Sequence, residues 1–392
     1  MINFKPIDVK TFLSEYWQKK PLVIRQAINN FTNILSPDEL AGLAMEEDVE
    51  SRIVLEKINK NPAWELKRGP FGEKDFSTLP KTHWTLLVQG VDKLIPEFAS
   101  LLDNFDFIPQ WRLDDLMISY AVKHGSVGPH YDNYDVFLYQ ASGSRKWSLT
   151  SKNCNESNYI KDLELRIMDE FKVEEEYILA PGDMLYLPPH IGHHGVSLDD
   201  DCMTYSFGYR SYEASELWES FGDYRSMHNN SKKLYEDPNW DSIKKTSAIS
   251  PNAWLQAKNL MQELLADESN LKSWFGSFAT RIDEQADLHM PLPLDEDEID
   301  SLDIFVRNLY GSKGLMRDLT CRFAYIELED NSIKLFINGC EWNTHNVSNL
   351  LCELVANQRT IEVKSLMPFL DNNDNQVFLY ELWKLQWLQI ID

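Results

Sequence analysis

A chain of 392 residues with 43% hydrophobic and 12% aromatic side chains is too long for one compact core, and it carries enough apolar side chain to fill two or three. Its 62 acidic and 38 basic residues give a formal net charge of −24, a surface that repels nucleic-acid phosphates and suits basic partners. No apolar run reaches membrane-spanning length, residues 1–6 lack the charged-then-apolar build of a signal peptide, and the five cysteines are dispersed with no Cys-x-x-Cys pair. A reduced, cytoplasmic protein is expected, with no membrane and no direct nucleic-acid contact.

In chain order, the aromatic-rich residues 12–17 predict a short helix stopped near Pro21, then a strand over 22–25. Ser36-Pro37-Asp38-Glu39 offers a capping side chain, a proline at the first helical position and acids in the first turn, so a helix follows through about Met45. Residues 52–66 and 84–91 read as further strand or mixed elements. Residues 111–122 read as an outer strand. Gly125-Ser-Val-Gly-Pro-His130-Tyr131-Asp132-Asn-Tyr134 then leads into a run of aromatic and β-branched residues, which puts His130 and Asp132 at the mouth of a strand. A turn at 141–144 and a return strand from Arg145 imply a hairpin. Pro181-Gly182-Asp183 marks a turn, residues 184–187 a short buried strand, and Pro188-Pro189 ends it before His190, His193 and His194. Residues 203–210 supply one more strand. Short strands without intervening helices point to an antiparallel jelly roll.

Past Arg210 the period changes. Ala257, Met261, Leu264 and Leu265, then Leu271, Trp274, Phe275 and Phe278, follow helical spacing. A proline break at 290–294 and the acid run 295–298 lead to a last unit that mixes helices with a hairpin across Asp330-Asn331-Ser332. That mixture suggests a small α+β winged-helix-like module, yet 20 acids against 9 bases over 281–392 argue against a phosphate-binding wing. The organisation expected is a jelly-roll catalytic domain over 1–210, a helical domain over 211–288 and a winged-helix-like domain over 289–392.

Five of the nine histidines fall between His124 and His194. Side chains two apart on a strand face one way, so His130 and Asp132 can grip one metal ion and need a third ligand from the later histidine cluster. Two histidines and a carboxylate leave half of an octahedral ion open, the arrangement of non-haem Fe(II) oxygenases; a closed zinc site would want a fourth protein ligand. A lone His-x-Asp is more often a surface pair, and it is the joint spacing that carries the signal.

The combined motifs Gly-Pro-His130-Tyr-Asp132, Gly143-Ser-Arg145-Lys-Trp147 and Pro-Gly-Asp183 through Pro-Pro-x-x-x-His193, with Trp17-Gln-Lys-Lys-Pro21, closely resemble the JmjC-type ribosomal oxygenases over at least residues 12–210. Within that family the chain looks most like the bacterial arginine hydroxylases of a large-subunit ribosomal protein. The resemblance implies a double-stranded β-helix of cupin-like jelly-roll type, Fe(II), 2-oxoglutarate and dioxygen as cofactor and cosubstrates, and a helical domain that makes a homodimer. It implies His193 as the distal ligand, with His190 as runner-up, Arg145 as the anchor of the 2-oxoglutarate far carboxylate, and Ser119 near the cosubstrate. A guanidinium fork is the best partner for a carboxylate in an apolar barrel. Asp114, Asp115, Tyr131 and Tyr134 are candidates to receive a basic ribosomal protein of the large subunit. Histidine hydroxylation, a cupin-like metalloenzyme without 2-oxoglutarate, and an acidic adaptor stay open as alternatives.

Overall fold

A computed structural model of the chain describes residues 1–228, 233–239 and 247–391. The first half is built on two antiparallel sheets. Their strands are β1 (Leu22–Ile24), β2 (Ser51–Glu56), β3 (Trp64–Arg68), β4 (Trp84–Val88), β5 (Leu113–Ala121), β6 (Asp135–Ser142), β7 (Arg145–Thr150), β8 (Glu175–Leu179), β9 (Met184–Leu187), β10 (Gly192–Ser197) and β11 (Cys202–Tyr209). The major sheet runs β1-β9-β6-β11-β5-β4-β2-β3 and the minor sheet β10-β7-β8. This is the expected jelly roll, with an extension of the major sheet beyond β5.

Two expectations are corrected by the pairing. β6 and β7 do not form a hairpin: β6 lies between β9 and β11, while β7 lies between β10 and β8. The turn between them carries the chain from one sheet to the other, and Gly143, at φ +61, lies so close to the Asp201 backbone that a Cβ would collide with it. Nor is β5 an outer strand; it sits between β11 and β4. Its alternating polar residues resemble an edge because one face lines a cavity and the other a domain junction.

The outer face of the major sheet is covered by residues from the N-terminal third. Phe12, from the helix Val9–Glu15, is fully buried among Phe4, Tyr16, Trp17, Phe107, Phe137 and Tyr186. Offset and edge-to-face aromatic packing of this kind adds to the stabilisation from area burial. Ser36 caps the helix Pro37–Leu43 and exchanges the reciprocal bonds of a capping box with Glu39.

Helices Ala214–His228, Pro251–Leu265, Glu268–Ala279 and Glu284–Leu288 follow. Part of the helical unit expected over 211–288 lies outside the described residues. Glu268–Ala279 packs Trp274 and Phe278 against Phe221, whereas among the described residues Pro251–Leu265 buries no side chain and leaves Trp254, Leu255, Met261 and Leu265 exposed. The last unit holds helices and two three-stranded sheets around Phe305, Leu335, Leu351 and Leu379. The expected hairpin is present as Phe323–Glu327 paired with Ile333–Ile337. Ion pairs tie this unit and the helical unit to the jelly roll: Arg322 with Asp114 and Arg359 with Asp103 and Asp106 from the last unit, and Lys93 with Asp283 of the helical unit, which Arg322 also meets.

Candidate metal centre and cosubstrate pocket

The segment before β6 runs antiparallel to the loop after β9 and the start of β10. His130 and His193 exchange both backbone hydrogen bonds, N–H to C=O at 3.0 and 2.7 Å, and the His190 N–H donates to the Asp132 carbonyl at 2.8 Å. Two distant stretches are thus fixed with their imidazoles side by side, ring centroids 4.2 Å apart. One donor atom each from His130, Asp132 and His193 lies within 4.8 Å of the others. The His193 Nε2 is 3.5 Å from the Asp132 carboxylate.

The backbone also selects the tautomer. The His130 Nδ1 is 2.9 Å from the Gly128 carbonyl and the His193 Nδ1 is 3.0 Å from that of Ile191, so each ring donates from Nδ1 and leaves Nε2 free to face the cluster. Burial, reinforced by His130, pushes the His193 imidazole down to about 4, so it is neutral and ready to ligate at physiological pH. His190 lies outside this cluster. Its backbone is left-handed at φ +62, its side chain is exposed, and its ring lies 6.0 Å from Tyr131. His194 points to the other side of β10, towards Phe171.

Two further features steady this frame. Asp183 takes the Arg25 guanidinium at 2.6 Å and the Ala180 and Gln26 N–H groups, making the turn before β9. Asp135, fully buried at the start of β6, accepts from the Tyr186 hydroxyl at 2.6 Å and the Gln18 amide at 3.1 Å, while the Gln18 N–H donates to the same hydroxyl. The Trp-Gln-Lys-Lys-Pro stretch therefore acts as a clamp on the strand that follows the metal-ligand segment.

The triad opens on a cavity of about 420 Å³ between the two sheets. Arg145 reaches it from β7 and is only 4% exposed, yet its Nε and Nη2 have no hydrogen-bond partner, and neither has the Trp147 Nε1. A buried guanidinium and indole left unsatisfied together are costly unless an acceptor arrives. Ser119 lines the same cavity, with its register partner Thr204 beside it. Thr204 carries no motif of its own and becomes visible only through sheet pairing, while Trp147, the last residue of the Gly-Ser-Arg-Lys-Trp motif, gains a place in the cavity. The donor set and the orphaned cation fit a metal ion together with a small carboxylate.

Tyr131 and Tyr134 also line the cavity, and Tyr131 stacks on Tyr159 at 5.5 Å. The Asp132 carboxylate beside the Tyr134 phenol, together with burial, keeps that phenol protonated. Asp114 does not line this cavity. Neighbours on a strand face opposite ways, and Asp114 meets Arg322 of the last unit. Asp115 sits on the other side, against Gly208 together with Tyr134.

Residues 100–217 match the JmjC domain model. The Escherichia coli (strain K12) ribosomal protein uL16 3-hydroxylase is 37% identical over 282 residues, 72% of this chain and 74% of that protein. The chain belongs to the JmjC-domain ribosomal oxygenases. A probable ribosomal oxygenase of Haemophilus influenzae is 43% identical over 54% of this chain and 52% of its own length. The solved ribosomal oxygenase YcfD of Escherichia coli superposes with a TM-score of 0.84 at 29% identity, covering 100% of this chain and 99% of that one. A structure of that oxygenase in complex with cobalt and 2-oxoglutarate gives 0.83 at 30% identity, covering 98% of each chain. The pocket combines three side chains able to hold a metal with a guanidinium that lies over the Trp147 ring and has two nitrogens without a hydrogen bond.

Proposed function

We propose that this chain is an Fe(II)- and 2-oxoglutarate-dependent oxygenase that hydroxylates an arginine side chain of a large-subunit ribosomal protein in the cytoplasm. The observation that carries the reading is the pairing of an open His130-Asp132-His193 triad with the buried, unpartnered Arg145 in one cavity. Bound iron with 2-oxoglutarate and dioxygen supplies the oxidation, in which the cosubstrate is decarboxylated to succinate and one oxygen atom enters a C–H bond. The chain's own residues do the rest. His130, Asp132 and His193 hold the ion on one face; Arg145 and Trp147 receive the far carboxylate; Ser119 and Thr204 line its flank; and the barrel walls exclude water.

Arginine is favoured over histidine by Asp115. Burial, with Asp92 and Asp114 nearby, lifts its carboxyl to about 7, a poised acid that an incoming guanidinium would ionise, with the Tyr134 ring beside it. The pH consequence follows from the sign of that shift. Between about pH 4 and 7 the folded chain keeps a proton that the unfolded chain has lost, so stability falls as pH rises through that window. Asp115→Asn should therefore melt several degrees higher than the parent at pH 8, converge with it below pH 4, and raise KM for the protein substrate. Melting curves across pH check the first part; equal melting at pH 8 would remove the poised acid.

The exposed Trp254, Leu255, Met261 and Leu265 support pairing of the helical domain with a second copy. The hairpin and helices of residues 289–392 support a winged-helix reading of the last unit, used as a protein-docking module because of its acidity. The direct test of the activity is succinate formation. Purified protein with Fe(II) and 2-oxoglutarate should release succinate in step with a one-oxygen mass gain on an arginine of uL16, and a gain on histidine, or none, would overturn the arginine reading.

A further inference from the structure

One cross-strand row on the inner face of the major sheet runs Ser119, Leu87, Arg52, Arg68, following the register of β5, β4, β2 and β3. Leu87 is packed with Val54, Leu66 and Ile167 into an apolar patch. Arg68 stands at the solvent rim and pairs with Glu164, both side chains exposed. Between patch and rim lies Arg52, half-buried and lining the cavity. Its guanidinium meets no carboxylate. Nη2 reaches the Gln89 Oε1 at 3.4 Å and the Met117 Sδ at 3.5 Å, both long contacts, and among the described residues Arg52 makes no ion pair. A guanidinium carries five N–H donors, so most of this group's capacity is unused. In a chain of 62 acids and 38 bases a carboxylate partner is easily supplied, as Glu164 supplies one to Arg68 a strand away. The amide that touches Arg52 continues to Asp115: the Gln89 Nε2 donates to the Asp115 Oδ2 at 2.6 Å. One side chain therefore spaces a carboxyl and a guanidinium along the cavity, and the Tyr134 phenol beside Asp115 lies within range of the Arg52 charge.

We infer that Arg52 is a binding residue for the substrate polypeptide, donating to an oxygen acceptor, a main-chain carbonyl or a carboxylate, adjacent to the side chain that Asp115 receives; the inference rests on the oxygenase reading above. A polypeptide brought to the metal must bury peptide carbonyls in the cavity, and a buried carbonyl without a donor costs about as much as a lost hydrogen bond. Arg52 supplies donors on that side. The cosubstrate does not need them. Arg52 lies two strands, about 10 Å, from Ser119 on the side of the major sheet away from β6, so a cosubstrate spanning the triad and Arg145 leaves it to the protein substrate.

The test uses the full-length enzyme with Fe(II), 2-oxoglutarate and uL16. Arg52→Gln removes the charge and should raise KM for uL16 about tenfold to a hundredfold, with iron affinity, KM for 2-oxoglutarate and kcat at saturating uL16 within about twofold of the parent. Arg52→Lys restores the charge without the planar fork and should recover part of the loss. Repeating the comparison with uL16 in which the acids nearest the hydroxylated residue are replaced by their amides identifies the oxygen: a penalty that persists assigns a main-chain carbonyl, and one that disappears assigns a carboxylate. A KM for uL16 within about twofold of the parent in both variants overturns the inference and leaves the oxygenase reading standing. So does a KM for 2-oxoglutarate that rises as far as that for uL16, which would make Arg52 a cosubstrate contact. A lower melting temperature with equal loss of every parameter would make it a structural strut and overturns the inference as well. Parent enzyme that yields no iron-dependent succinate with uL16 overturns both.

Discussion

Replacing His193 with alanine should abolish iron-dependent succinate formation while the chain stays folded. His193 is 3% exposed, its Nδ1 is committed to the Ile191 carbonyl, and its Nε2 stands 3.5 Å from the Asp132 carboxylate. Loss of a partner that merely orients a ligand typically costs about 10–100-fold in metal affinity or activity, so loss of the ligand itself should exceed that. The strand pairing survives the change, because His193 meets His130 through backbone N–H and C=O groups that alanine keeps. Iron titration, followed by circular dichroism of the same sample, separates lost binding from lost fold. His190→Ala is the matched control and should keep iron affinity within a few fold, since only its main chain touches Asp132. Equal damage from both substitutions would remove His193 from the metal centre.

That comparison also marks how far the residues could be read without coordinates. The His-x-Asp pair, the short buried strand after Pro-Gly-Asp and the capped helix at Ser36 were legible because each rests on local chemistry: a two-residue period, a turn, a side-chain cap. The choice between His190 and His193 turned on a backbone bridge between segments some sixty residues apart, which no local pattern encodes. The same holds for the misread hairpin. A Gly-containing turn between two strands looks alike whether the chain folds back within a sheet or crosses to another, and only the partners β9, β11, β8 and β10 decide it. Asp114 and Asp115 could not both face a substrate, and strand alternation alone would have said so; which of them turns inward depended on the last unit supplying Arg322. Helix Pro251–Leu265 has correct periodicity and no buried face among the described residues, because periodicity identifies an apolar stripe and says nothing of what covers it.

Arg145→Met should have opposite effects on stability and on turnover. In the ligand-free chain Arg145 is a buried cation with two orphaned N–H positions, and uncompensated buried charge is destabilising by several kcal/mol, so an apolar side chain of similar reach should raise the melting temperature. With 2-oxoglutarate the balance reverses. Charge-assisted hydrogen bonds contribute about 1.5–3 kcal/mol each, so their removal should raise KM for the cosubstrate by about 10–100-fold or more. Iron affinity should hardly move, since Arg145 is no part of the triad. The stabilisation that 2-oxoglutarate confers on the parent should also be lost, because a ligand raises melting only through its binding to the folded state. Thermal melts with and without the cosubstrate, read beside succinate kinetics, measure both halves. A variant that melts lower than the parent without ligand, yet keeps its KM for 2-oxoglutarate, would mean that the guanidinium is a structural strut and that the carboxylate is held elsewhere. Arg145→Lys distinguishes charge from geometry: an ammonium restores the charge without the planar fork, so it should recover only part of the affinity.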